Sequence, residues 1–188
     1  MQESFLMASI ANDKAMLDEL VNGSGDLHSL TAKMVFTQIP RDTPLKEIKE
    51  KYHDLRQESK GYEFCFNYGG TDSTLVKNYG ISRARAKEIY TNYMSGFSGL
   101  RDYQDYRRKD VLQKGYILIN PITRHKAFIY DWGNLCKISN ELASDEGRFL
   151  SSRGNPKVKE ESSFLRRRIA DSQKQSINYP RLEWGFIQ

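Results

Sequence analysis

Arg56, Lys60, Phe64 and Tyr68 recur every four residues. On a helix that spacing lays side chains along one gently drifting stripe. The first two are cations and the last two are aromatic. Two cations one turn apart can hold a chain of phosphates through charge-assisted hydrogen bonds. Two aromatic rings beyond them can pack on a sugar and a base. The stripe therefore has the polarity of a nucleoside triphosphate. The same spacing also fits a helix whose Arg and Lys are solvated and whose Phe and Tyr enter the core, and on spacing alone that is the commoner arrangement. The remaining candidates are scattered. His28, His53 and His125 form no HExxH pattern, and Cys65 and Cys136 lie far apart. This excludes a disulfide scaffold and a CxxC zinc site, and it fits a reducing compartment.

The chain has 188 residues, enough for one domain with a real core. Its formal charge is +5, unevenly placed. In the first thirty residues Lys14 is outnumbered by Glu3, Asp13, Asp18, Glu19 and Asp26, whereas Arg153, Lys157, Lys159, Arg166, Arg167, Arg168 and Lys174 make a basic stretch near the other end. A basic surface with 11 tyrosines suits nucleic acid, as it suits an ordinary solvated face. No apolar run approaches the roughly 18–20 residues of a membrane span. Met1-Gln2-Glu3-Ser4 lacks the basic start of a secretory signal. A cytoplasmic protein without a membrane partner is expected.

Residues 4–21 have helical apolar spacing and stop at Asn22-Gly23-Ser24-Gly25. Asp26 is a good N-cap for a helix ending near Phe36. A two-proline loop, 38–44, leads into one long amphipathic helix that carries the stripe and ends at Gly69-Gly70. Gly61 inside it costs about 1 kcal/mol against Ala, so it calls for a packing reason. Thr71-Asp72-Ser73 and Ser82 cap two further helices, whose text also resembles a helix-turn-helix, and a fourth follows the Gly-Phe-Ser-Gly break at 96–99. Residues 115–120 and 127–130, around a turn at 121–124, make a hairpin. Residues 139–163 read as polar and irregular, and 164–177 as a basic helix stopped by Asn178-Tyr179-Pro180. The fold class is α+β, predominantly α-helical, with one small β-hairpin.

The text RQESKGYEFCFNYGG resembles the R-x3-K-x-x-N-F-G-x-x-Y-G helix, motif B, of the family-A DNA polymerases, the relatives of bacterial DNA polymerase I. Glu63 and Cys65 stand where Asn and Gly are usual. Other segments resemble the family in the same order. Asp26-Leu27-His28-x2-Thr31-Ala32-x2-Val35-Phe36 is similar to D-I-H-x2-T-A-x2-V-F, and Gln2-Glu3 with LMASIANDKAML is similar to the tail of motif A and its helix. Residues 80–106 resemble I-x3-E-A-x3-I-x2-Y-F-x2-Y-P-G-V-x2-Y. Lys114-Gly115-Tyr116 with Thr123-Arg124-His125 resembles G-Y-V-x-T and G-R-R, and Lys174-x3-Asn178-x-Pro180 resembles R-x3-N-x-P. The likeness covers about residues 1–180, as a divergent, phage-like version of the fingers and part of the palm. Residues 181–188 read as a tail unlike the family.

The resemblance implies roles. Arg56, Lys60 and His28 would grip the phosphates of an incoming dNTP. Phe64 would lie at its sugar, Tyr68 near the nascent base pair, and Glu3 would crowd a ribose 2′-OH. Lys174, Asn178 and Arg124 would contact the primer–template DNA. The activity implied is DNA-directed DNA polymerase, a nucleotidyltransferase of DNA replication that uses Mg²⁺.

In this family two aspartates hold the metal ions. One precedes Glu3 by five positions and the other follows an N-x-P-x-Q-G-T segment that breaks here at Arg181-Leu182. Asp145-Glu146, in polar ELASDEGRFL, reads as surface rather than as the second. The expectation is therefore a segment that is inactive alone, binds no metal by itself, and works with the remaining palm, motif C and thumb. A non-catalytic nucleic-acid-binding module and a decayed gene fragment are the alternatives.

Overall fold

The structure, a computed structural model, describes residues 2–120 and 123–186, with the backbone alone for residues 2, 3 and 180–186. It is mostly helical, with one two-stranded antiparallel sheet, as expected. The described residues divide into two compact units, 2–106 with 181–186 and 107–180, with both boundaries inside helices.

The first unit holds α1 (Gln2–Ala11), α2 (Lys14–Val21), α3 (Leu27–Val35), α4 (Leu45–Lys51), α5 (His53–Asn67), α6 (Asp72–Tyr79), α7 (Arg83–Gly96) and the start of α8 (Ser98–Lys114). The expected helix over 4–21 is two helices. Asn12 takes the left-handed conformation (φ 48°), and the buried Asp13 carboxylate accepts the Met16 N–H at 3.0 Å, capping α2. Its other oxygen accepts the Leu100 N–H at 2.9 Å in the first turn of α8. One carboxylate thus satisfies free donors of two helices. The long helix expected after the proline loop is likewise broken, at Tyr52 (φ −126°, ψ 41°), into α4 and α5.

The core of this unit lies where α3 meets α5 and α7. Leu27, Thr31, Ala32 and Val35 supply the α3 face. Ser59, Tyr62, Glu63, Phe66 and Asn67 supply that of α5, and Ala86, Ile89, Tyr93 and Met94 that of α7. Phe66 meets Tyr90 and Tyr93 at ring-centroid distances of 5.3 and 4.9 Å, and Tyr93 meets Phe97 at 4.8 Å. Contacts of this kind contribute roughly 0.5–1.5 kcal/mol each beyond buried area. Gly61 has its packing reason: an added Cβ would run into the Tyr79 hydroxyl. Asp26 and Ser82 cap α3 and α7 as expected, and Thr71 forms a capping box with Thr74.

The second unit holds the end of α8, β1 (Tyr116–Asn120), β2 (His125–Phe128), α9 (Trp132–Ala143), α10 (Asp145–Ser152) and α11 (Pro156–Phe186) as far as residue 180. Tyr116 pairs with Phe128 and Ile117 with Ala127, with a register shift between Leu118 and Asn120; the second strand lies two residues earlier than expected. Val111, Ile117, Ile119, Ile129, Leu135 and Leu165 form the core. Arg107, buried, donates to the carbonyls of Ser176 and Leu118, both at 2.9 Å.

Two expectations are corrected here. Residues 139–163 are helical, because Leu135, Ile138 and Leu142 turn one face of α9 to the core and Ser144 and Asn155 cap α10 and α11. The basic helix begins at Pro156 and runs through Pro180, since a proline removes one backbone bond while Ile177 and Ser176 remain buried one turn before it.

Candidate functional site

Helix α5 presents two faces. Tyr62 and Phe66 are its core aromatics, 1% and 0% exposed, whereas Phe64 is 59% exposed. The Phe64 and Tyr68 rings lie together, with centroids 4.5 Å apart at 44°. The stripe aromatics are therefore not the residues that hold the fold. Tyr68 closes the helix, and Gly69 (φ 76°) reverses the chain. The Gly70 N–H returns to the Cys65 carbonyl and the Gly69 N–H to that of Phe66, a Schellman turn. This turn fixes where the aromatic end of the stripe stops.

The cationic end of the stripe is not freely solvated. The Arg56 side chain is 12% exposed, with Nη2 2.8 Å from Asp26 Oδ1 and Nε 3.0 Å from both Asp26 Oδ2 and Ser29 Oγ. Asp26 also caps α3 through the Ser29 N–H at 3.2 Å. Burial pushes the Asp26 carboxyl up, but hydrogen bonds from Arg56 and Ser29 outweigh it and hold the group below its ordinary value. Lys60, the next cation, is half-buried one turn further along.

His28, in the first turn of α3, points its Nδ1 at Glu63 Oε2, 2.7 Å away. Glu63 is 2% exposed, and its other oxygen accepts the Ser4 hydroxyl at 2.9 Å. The Ser59 hydroxyl donates to the His28 carbonyl at 2.9 Å, so α5 grips both side chain and backbone of this residue.

Ser4, Asp26, His28 and Arg56 line a cleft of about 520 Å³ together with Lys46 and Lys49; Lys60 is not among its lining residues. Lys46 and Lys49 come from α4 and had no place in the sequence reading. The signal that could have found them is their spacing: at i and i+3 they share the face of a helix immediately before the stripe. The cleft thus gathers three strong cations and an imidazole around one carboxylate, at the N-terminal, partly positive end of α3. It can hold a polyanion. The Glu3 side chain lies outside the described residues.

The expected DNA contacts lie in the second unit. Arg124 is exposed in the hairpin turn with φ 59°. Lys174 is exposed one turn before Asn178 on α11, and the Asn178 Oδ1 is buried with no hydrogen-bond partner among the described residues. Asp145 is 98% exposed and pairs with Arg148. A cleft of about 370 Å³ beside Ser151, Asn155, Lys159, Ser162 and Arg166 contains none of the expected site residues. Among the described residues no three His, Cys, Asp or Glu side chains converge to hold a metal ion, so these residues do not fit a Mg²⁺ site.

The sequence pattern of DNA polymerase family A matches residues 2–141. The chain belongs to DNA polymerase family A. DNA polymerase I of Geobacillus stearothermophilus is 29% identical over 112 residues, which are 60% of this chain and 12% of that protein. The DNA polymerase of Mycobacterium phage D29 is 30% identical over 124 residues, 65% of this chain and 18% of that one. Among solved structures, the POL domain of Pol1 from M. smegmatis, in complex with DNA primer-template and dNTP, superposes with a TM-score of 0.60. The likeness covers 95% of this chain and 24% of that chain at 22% identity, and it supports the helical fold with its small hairpin. This family A chain spans less than a quarter of the length of each of these three proteins. No helix among its described residues is long and apolar enough to cross a membrane.

Proposed function

We propose that this family A chain is the part of a DNA-directed DNA polymerase that receives the incoming dNTP and contacts the primer–template during DNA replication. One observation carries the reading: Arg56 and His28 converge on one cationic cleft, while the Phe64–Tyr68 ring pair, Phe64 exposed and Tyr68 half-buried, stands at the far end of the same helix. Arg56, Lys60 and His28 take the phosphates, with Lys46 and Lys49 widening the positive field. Phe64 and Tyr68 offer apolar faces to the sugar and the base pair, and Glu3 borders the sugar. Residues 1–180 form the polymerase portion, with Lys174, Asn178 and Arg124 toward the DNA and 181–188 as a tail unlike the family in sequence.

The site binds and orients; it does not carry out nucleotidyl transfer alone. In the complete enzyme Mg²⁺ supplies charge neutralisation and alignment of the primer 3′-OH. The residues that hold it, together with motif C and the thumb, belong to partner segments in the cytoplasm of a bacterial or phage-infected cell. Binding is tested by titrating dGTP and inorganic tripolyphosphate into the chain and its His28→Ala variant. Micromolar to millimolar binding of both, weakened in the variant, is expected. Indifference of both ligands to His28 contradicts the reading. Primer extension by the purified chain with Mg²⁺ contradicts the division of labour.

A further inference from the structure

Glu63 is one of the places where α5 departs from its family's text, and it is a buried carboxylate on a helix whose neighbouring residues face a candidate anion site. We infer that Glu63 is a positioning residue that fixes the His28 ring so that Nε2, not Nδ1, serves the cleft. The inference rests on the phosphate-binding reading of that cleft.

The geometry is direct. A carboxylate can only accept, so the 2.7 Å contact makes His28 Nδ1 the donor. The Ser4 hydroxyl takes the second Glu63 oxygen at 2.9 Å, which prevents the carboxylate from rotating away from the ring. Glu63 is 2% exposed, whereas the His28 side chain is 36% exposed and lines the cleft. The ring is therefore anchored on its inner edge and open on its outer one. A triphosphate in the cleft, already drawn by Arg56, Lys46 and Lys49, favours the doubly protonated ring, which then donates from both nitrogens: Nδ1 to Glu63 and Nε2 to a phosphate oxygen. A neutral Asn or Gln at position 63 can present either an amide oxygen or an amide nitrogen and leaves the ring orientation unspecified.

The test is a double-substitution cycle on tripolyphosphate affinity, with ¹⁵N spectra of the His28 ring. His28→Ala is expected to weaken binding about tenfold and Glu63→Gln about fivefold, with no further loss on adding E63Q to H28A, because groups acting through one contact are not additive. The ¹⁵N spectrum of the unsubstituted chain is expected to show Nδ1 protonated, with Nε2 gaining a proton on tripolyphosphate addition. In E63Q the Nδ1 signature is lost while the melting temperature of H28A/E63Q stays that of H28A. A fivefold loss from E63Q that persists in the H28A background, or an unprotonated Nδ1 in the unsubstituted chain, overturns the positioning role. Absence of any tripolyphosphate binding by the unsubstituted chain overturns the reading of the cleft itself, and the spectrum then decides the Glu63–His28 contact separately.

Discussion

Arg56 lies across Asp26 in a two-point ion pair, with contacts of 2.8 and 3.0 Å. The cation that the stripe offers to phosphates is thus held by a carboxylate that also caps α3. A ligand that uses Arg56 competes with Asp26.

That competition has a measurable sign. Asp26→Asn keeps an N-cap of equal quality while removing the charge. It is expected to tighten tripolyphosphate binding by about threefold to tenfold, since a fork-type Arg–carboxylate contact is lost and Arg56 is released. Isothermal titration of both proteins at one salt concentration checks it. Weaker binding in D26N would mean that Asp26 orients Arg56 toward the ligand instead of restraining it.

The same pair predicts acid behaviour. The Asp26 carboxyl titrates below its ordinary value of 3.8 in the fold, so its stabilisation is complete above that value and is lost as pH falls through the lower, folded one. Urea unfolding of the unsubstituted chain and D26N should differ by a constant amount between pH 5 and 7, roughly the range over which unfolded carboxyls stay ionised. The difference should shrink below about pH 4.

Asp13→Ala removes the cap of α2 and the acceptor for Leu100 together. The loss is expected to be about 2–4 kcal/mol, two bonds from a buried carboxylate, with Asp13→Asn recovering part of it. Urea denaturation reads the change. A loss below 0.5 kcal/mol, the size of an ordinary surface substitution, contradicts the double-cap role.

At Gly61, helix propensity favours Ala by about 1 kcal/mol. An added Cβ meets Tyr79, whose ring also packs edge-on against Tyr62 at 5.3 Å. Gly61→Ala is therefore expected to be neutral or destabilising alone, and to stabilise by about 1 kcal/mol in a Tyr79→Ala background. Thermal melts of the four proteins check the reversal of sign.

Much of this was legible in the sequence where the determinants are local. Asp26 and Ser82 stand directly before apolar periodicity, so α3 and α7 could be read from caps and spacing. The four-residue recurrence of the stripe places Arg56 and Phe64 along one side of α5 from spacing alone. The split after Ala11 was hidden, because what makes Asp13 a cap in the fold includes a partner, Leu100, that is distant in the chain. Helices α9 and α10 were hidden by polarity: their apolar faces are narrow, and Leu135 and Leu142 are recognisable only beside the strands they cover. Pro180 read as a stop because local rules weigh the missing N–H and not the buried turn before it. Glu63 read as a departure from a motif; its meaning depends on Ser4 and His28, which approach it only after folding.

The most direct test of the account is equilibrium binding of dGTP and of a primer–template duplex to the unsubstituted chain, Arg56→Ala and Lys60→Ala. Each substitution is expected to weaken dGTP binding by about tenfold or more, the loss of a charge-assisted phosphate contact, while duplex binding barely changes. Unchanged dGTP binding in both variants, beside salt-sensitive duplex binding that ignores them, would contradict it and mark the chain as a nucleic-acid-binding module without a nucleotide site.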